Sequence, residues 1–178
     1  MELSIGQKVA YPTQGVFLVE NIESRTIGDC AVKFYSLRVL SDNSIIFVPT
    51  ANAEAVGIRP IISDRQYKKL IGLLGADFSE IDSDWKTRSR EYALKLQTGD
   101  VFEAADVLKK LTFLSHEKKL SFREQSFLEK ARFLIVSEIT DGELAGADSI
   151  EKEIDKLVDC ACHKHLATQP KVLTATNH

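Results

Sequence analysis

No apolar run in these 178 residues approaches the ~20 needed to cross a bilayer, and the opening Met1-Glu2-Leu3-Ser4 lacks the basic start and apolar core of a secretory signal. A cytoplasmic protein without membrane contact is expected. The three cysteines, Cys30, Cys160 and Cys162, are odd in number and lack the spacing of a disulfide framework, which agrees with a reducing compartment. Phosphate-cradling and dinucleotide-binding glycine motifs are missing, as are H-E-x-x-H and G-x-S-x-G. Acidic residues are plentiful but fall in no catalytic motif and read as a solvated surface, so neither an enzyme nor a cofactor is expected. An excess of positive charge is also missing: a net charge of -3 excludes a protein that coats nucleic acid by bulk charge. Any such contact has to be local or assisted by a partner.

What is present is an ordinary globular balance, with 44% apolar and 28% charged residues, enough for one domain or two small ones. The charge is unevenly placed. Residues 1–84 carry 8 basic and 11 acidic side chains, residues 85–138 carry 11 and 8, and residues 139–178 carry 4 and 7. The positive segment begins at the single tryptophan, in Asp84-Trp85-Lys86-Thr87-Arg88-Ser89-Arg90-Glu91-Tyr92. Asp84 is a good helix N-cap, which makes Trp85 the first helical residue, where a side chain can project past the helix end. Two readings follow. Trp85, Arg88, Tyr92 and Leu96 lie on one helical stripe, so Trp85 can be the first rung of a buried face. Alternatively it is an exposed aromatic wedge for a nucleic-acid groove, with Lys86, Arg88 and Arg90 holding phosphates.

Residues 1–62 read as short β-rich runs at 9–11, 16–22, 32–40 and 45–49, separated by turns such as Ile27-Gly28-Asp29 and Ser41-Asp42-Asn43-Ser44. Four or five short strands predict a small, strongly bent antiparallel barrel of the SH3 or Tudor kind. Its core is too small for an enclosed active site, so an edge or face should bind a partner. Arg25, beyond the second strand run, and Arg38, within the third, are candidate contacts. Phe47 and Pro49 are candidates for the same face, with a core position the alternative for Phe47.

From residue 63 the period changes to about 3.6 residues, predicting a compact all-α domain over 63–165 and an α+β chain overall. Ser63 with Gln66, and Ser121 with Glu124, are capping-box pairs, while Gly75 and Thr98-Gly99 are stop signals. Asp100 with Glu103 opens a third helix. A polar loop, 115–120, holds Lys118 and Lys119. On the helix after Ser121, Arg123 and Lys130 share a face and Arg132 points the other way. A last helix is predicted over 148–163, and 166–178 as a disordered tail. The cluster Cys160-Ala161-Cys162-His163-Lys164-His165 resembles a metal site in composition only. Its two Cys–His pairs fall on opposite helix faces, so no metal is expected.

Gly6-Gln7-Lys8-Val9-Ala10-Tyr11-Pro12-Thr13-Gln14-Gly15-Val16 resembles the opening of bacterial CarD/CdnL transcription factors. Val48-Pro49 and Val56-Gly57-Ile58-Arg59 resemble their next segments. So do Trp85 to Leu96, Thr98-Gly99-Asp100-Val101, Leu120-Ser121 to Glu124, Lys130-Ala131-Arg132 and Ser137-Glu138. The resemblance covers about residues 1–140. It implies a Tudor-like domain docking on the β subunit of bacterial RNA polymerase, and a helical domain over promoter DNA. The residue matching Trp85 would wedge into the minor groove at the upstream edge of the open bubble, without operator specificity. The residue matching Arg25 would contribute to the polymerase contact. Lys118, Lys119, Arg123 and Lys130 complete the candidate DNA contacts, Arg38, Phe47 and Pro49 those to polymerase, and a monomer is expected. Two positions depart from the family: Thr87 stands where many relatives carry arginine, and Phe47 where some carry a basic residue. The competing reading is an adaptor that binds polymerase or another partner through the barrel and recruits proteins through the helical domain, with Trp85 buried and no DNA contact.

Overall fold

The computed structural model describes residues 1–170. Five strands, β1 (Lys8–Tyr11), β2 (Gly15–Ile27), β3 (Cys30–Val39), β4 (Ile45–Pro49) and β5 (Arg59–Pro60), form one antiparallel sheet in the order β4-β3-β2-β1-β5. A single helical turn, α1 (Ala53–Val56), precedes β5. The expected Tudor-like antiparallel module is therefore present. Its central hairpin is longer than the sequence suggests: β2 runs 13 residues, so Arg25 lies within it and pairs with Val32 rather than beyond its end. Glu23, Ser24, Arg25 and Thr26 hide this extension because they interrupt the apolar alternation, and only the partner strand β3 supports them.

Alternation sends one face of the sheet inward. Val9, Phe17, Val19, Tyr35, Leu37, Val39 and Val48 are buried together, and the Tyr35 hydroxyl accepts the Leu3 amide at 3.1 Å.

Five helices follow: α2 (Asp64–Leu74), α3 (Trp85–Gln97), α4 (Val101–Glu117), α5 (Phe122–Asp141) and α6 (Ala147–Thr168). Both capping boxes form, at Ser63 with Gln66 and at Ser121 with Glu124. Helix α4 is the centre of this half. Ten of its residues are buried, from Val101 to Leu114, against α2, α3, α5 and α6. It continues through Ser115-His116-Glu117, where a loop is predicted, because Phe113 and Leu114 pack at its end and the chain turns only at Lys118. Two lysines cap the end of α2. The buried Lys109 ammonium donates to the Leu73 and Ala76 carbonyls at 2.7 and 3.1 Å, and Lys164 to Gly75 at 2.7 Å. They meet the carbonyls that a helix C-terminus leaves unpaired. Burial lowers the Lys109 pKa, and these carbonyls replace the water it has lost.

Helix α6 reaches Thr168, past the predicted end at 163 and into the segment expected to be disordered; the rest of that expectation, beyond residue 170, lies outside the described residues. His165 supplies the reason. It is buried, stacks on Phe78 with centroids 4.0 Å apart, and its Nδ1 lies 2.8 Å from Asp77, whose other oxygen accepts Thr168. The Cys/His cluster is thereby divided: Cys162 and His165 are buried, whereas Cys160 and His163 are exposed. Among the described residues no group of three metal-ligating side chains converges, and no helix is long and apolar enough to cross a membrane.

The two halves meet along a polar joint. Arg59 on β5 forms a bidentate pair with Glu138 on α5 (2.7 and 2.8 Å) and donates to the Gly99 carbonyl at 2.8 Å; Glu138 also accepts the Ile62 amide at 2.9 Å. Gly99 has φ 71°, and a Cβ there would stand 2.9 Å from the Pro12 Cα. Glycine is thus required both by conformation and by the approach of the β1–β2 turn.

Candidate nucleic-acid interface

Asp84 caps α3 as expected, accepting the Thr87 amide at 3.1 Å and the Thr87 hydroxyl at 2.6 Å. Those hydrogen bonds, led by the hydroxyl, hold its carboxyl below the usual carboxylate range. Thr87 therefore completes the cap instead of supplying a cation. The cap leaves Trp85 at the first helical position, and its side chain is 62% exposed. The helical stripe is real, since Arg88, Tyr92 and Leu96 are buried, but it stops one turn short of the tryptophan.

Arg88 is placed differently from the expectation that it holds phosphate. It is 5% exposed, and its guanidinium donates to the carbonyls of Asp82 (2.8 Å) and Ser83 (3.0 Å) and to Glu124 (3.0 Å). Buried in this way it cannot reach a phosphate, and instead it pins the first turn of α3 to the first turn of α5. Lys130 also leaves the group. Its ammonium donates to the Thr13 carbonyl at the joint between the halves, where burial lowers its pKa. Lys86, Arg90, Lys118, Lys119 and Arg123 are exposed, and of these only Lys118 has an ion-pair partner among the described residues, Glu124 at 3.7 Å. The Lys86 ammonium lies 5.7 Å from the Trp85 ring centre, and the Arg123 guanidinium 5.4 Å from that of Phe127.

The pinned helix ends share a groove of about 690 Å³ whose lining includes Trp85, Lys118, Lys119, Phe122, Arg123 and the Glu124 carboxylate. Phe122 is not among the residues that the sequence singles out, although it is 93% exposed. The signal is there nonetheless: an aromatic residue directly after the N-cap Ser121, as Trp85 follows Asp84.

Glu124 holds this arrangement. Burial alone would raise its pKa, but the Ser121 amide and the Arg88 guanidinium outweigh that and keep its carboxyl below the ordinary value. A depressed carboxylate stabilises the fold fully above the unfolded-state pKa of about 4.3 and loses that contribution as pH falls through the lower folded value. Thermal melts stepped from about pH 6 to pH 3 should therefore fall less steeply for Glu124→Gln than for wild type. Equal slopes would mean that this ion pair contributes nothing.

On the sheet, register places the four remaining candidates on one face. Arg25 pairs with Val32, Phe47 with Ser36, Pro49 with Phe34, and Arg38 with Ile45. Paired residues share a face, and Val32, Phe34, Ser36 and Arg38 alternate with the buried Tyr35 and Leu37. Phe47 is 43% exposed, not in the core, and the Arg25 guanidinium lies over its ring at 4.2 Å. Arg25 also pairs with Glu23 at 3.0 Å, and Arg38 with Glu20. The face is thus apolar at its centre, around Phe34, Ile45 and Phe47, with its arginines partly neutralised.

A Tudor-like sheet presenting an aromatic face, joined to a helical bundle that ends in an aromatic and basic groove, defines a two-module binding protein without a catalytic centre in view. Residues 3–62 match the CarD-like/TRCF RID domain, and residues 69–155 match the CarD C-terminal domain. The chain belongs to the CarD/CdnL family of transcription factors, a non-enzymatic class. It is 27% identical over 135 residues to the proposed transcription factor YdeB of Bacillus subtilis strain 168, covering 76% of this chain and 88% of YdeB. It is also similar to the solution NMR structure of the 72-residue N-terminal domain of Myxococcus xanthus CarD, at 30% identity over 33% of this chain and 79% of that one, with a TM-score of 0.29.

Proposed function

We propose that this chain is a promoter-general accessory factor of bacterial RNA polymerase. Residues 1–62 dock on the β subunit through the face bearing Arg25, Arg38, Phe47 and Pro49, and residues 63–165 face upstream DNA. Trp85 enters the minor groove at the upstream edge of the melted bubble and slows its collapse. The factor acts in the cytoplasm as a monomer and selects no operator. The observation that carries this reading is the exposed Trp85, held at a capped helix start beside Lys86 and in one groove with Lys118, Lys119 and Arg123. The adaptor reading expects a buried tryptophan, so the exposure of Trp85 favours the wedge over it.

An aromatic wedge contacts kinked or unstacked base steps without reading sequence. A positive charge this small, local to one segment, binds DNA weakly by itself. Docking on polymerase supplies the effective concentration that makes a weak wedge sufficient. The test is the lifetime of competitor-challenged open complexes formed by cognate polymerase on a ribosomal promoter. Wild type should prolong it; unchanged lifetime with retained polymerase binding would return the adaptor reading. Footprinting of the protein alone should show no preferred operator.

Arg25→Glu should weaken polymerase binding about tenfold, since it replaces the cation over Phe47 with a charge that repels Glu23. Calorimetric titration checks this, and an affinity within twofold of wild type would move the docking surface elsewhere on the sheet.

A further inference from the structure

Phe122 is the most exposed large apolar side chain of the described residues, at 93%. Nothing in the fold needs it there: the first helical position after Ser121 tolerates any good helix former, and the side chain contributes nothing to the core. An aromatic so placed costs solubility unless something covers it. Its position repeats that of Trp85. Both follow a side-chain N-cap, both stand at the start of a long helix, and the Arg88–Glu124 pair at 3.0 Å ties the two helix starts together. Both line the same groove, which also holds Lys118, Lys119 and Arg123 and one carboxylate, Glu124, already paired with Arg88 and Lys118.

Charge decides what the groove suits. The two helix N-termini are already met by the Asp84 and Glu124 carboxylates, so the positive charge offered to an occupant is that of the exposed Lys118, Lys119 and Arg123. An anionic occupant with flat apolar faces fits this surface, which describes a nucleic-acid strand and not an acidic peptide lacking aromatic-sized planes. We infer that Phe122 is a second aromatic contact to the DNA engaged by Trp85, packing on the sugar and base edge of a neighbouring nucleotide, with Lys118, Lys119 and Arg123 on the flanking phosphates. The site is then a two-pronged clamp. This inference rests on the Trp85 wedge reading and extends it to a residue on a different helix.

Two measurements test it on the full chain with polymerase holoenzyme and promoter DNA. In the open-complex lifetime assay Phe122→Ala should reduce the extension about fivefold, the low end of the effect of removing one aromatic stacking partner. Phe122→Leu should recover only part of the loss. Since the side chain is exposed, thermal stability should not change. If Trp85→Ala abolishes the extension while Phe122→Ala keeps it, the second prong is wrong and the wedge stands. If neither variant has an effect, the wedge reading itself falls. In the second measurement, Phe122→p-benzoylphenylalanine is irradiated within the promoter complex. Crosslinks to labelled DNA are expected, and crosslinks to a polymerase subunit, or none, would overturn the inference.

Discussion

Trp85→Ala should abolish most of the open-complex lifetime gained with wild type while leaving the melting temperature within about 2 °C, the range of exposed-site substitutions. The two halves of this expectation come from the same fact. At 62% exposure the indole contributes little to the core, and α3 is held by the Asp84 cap, the Arg88 contacts and the buried Tyr92 and Leu96, all of which the variant keeps. What the variant loses is an apolar plate that can enter a base step and offset unstacking, an interaction of a few kcal/mol. If about 2 kcal/mol of it discriminates open from closed complex, the equilibrium changes roughly thirtyfold. Trp85→Phe should keep part of the effect, because a smaller ring still wedges. The free protein gives an independent check: as the sole tryptophan, Trp85 should emit red-shifted and be readily quenched by acrylamide. A blue-shifted, protected emission would remove the basis for the wedge.

Local signals in the chain announce most of the elements, and fail where distant packing decides. Asp84, Ser63, Ser121, Gly75 and Gly99 mark helix ends because caps and stops are written within four residues of each other. The Trp85 stripe was ambiguous because periodicity says which residues share a face, not how far along the helix the neighbours reach; α5 covers Arg88 and leaves Trp85 open. Arg88 and Lys130 look like free cations in a basic segment, yet their partners, Glu124, Asp82, Ser83 and Thr13, lie on other turns or in the other half. The sharing of one face by Arg25, Arg38, Phe47 and Pro49 depends on strand register and the irregularity between Val19 and Asn21, which no single strand reveals. Phe122 was legible in principle, from its capped position alone.

Contacts at the joint between the halves give the second large expectation. Pro12 meets Gly99, the β1–β2 turn at Gly15 faces Phe133 and Ser137, and Arg59 grips Glu138 and the Gly99 carbonyl. Glu138 is buried, and Arg59 is the cation that neutralises it. Desolvation opposes the charged guanidinium, but the Glu138 hydrogen bonds and charge outweigh it and raise the Arg59 pKa. Arg59→Ala would strand the carboxylate, a loss of about 3 kcal/mol when one partner of a buried pair is removed. Glu138→Gln should cost less, because its amide oxygen can still accept the Ile62 amide and the charge left without its partner, Arg59, is the more exposed of the two. An apolar pair, Arg59→Met with Glu138→Leu, should recover only part of the stability, because the Ile62 amide and the Gly99 carbonyl lose their side-chain partners. It should not recover function. In the proposed mechanism the sheet face and Trp85 on α3 act together only if the angle between them is fixed, and a misplacement of about 1 Å is enough to spoil a positioned contact. Arg59→Ala and the apolar pair should therefore bind polymerase with nearly unchanged affinity and yet extend open complexes far less than wild type. If the apolar pair matched wild type in lifetime, the joint would be a stabilising contact and the aim of the wedge would be set by the DNA.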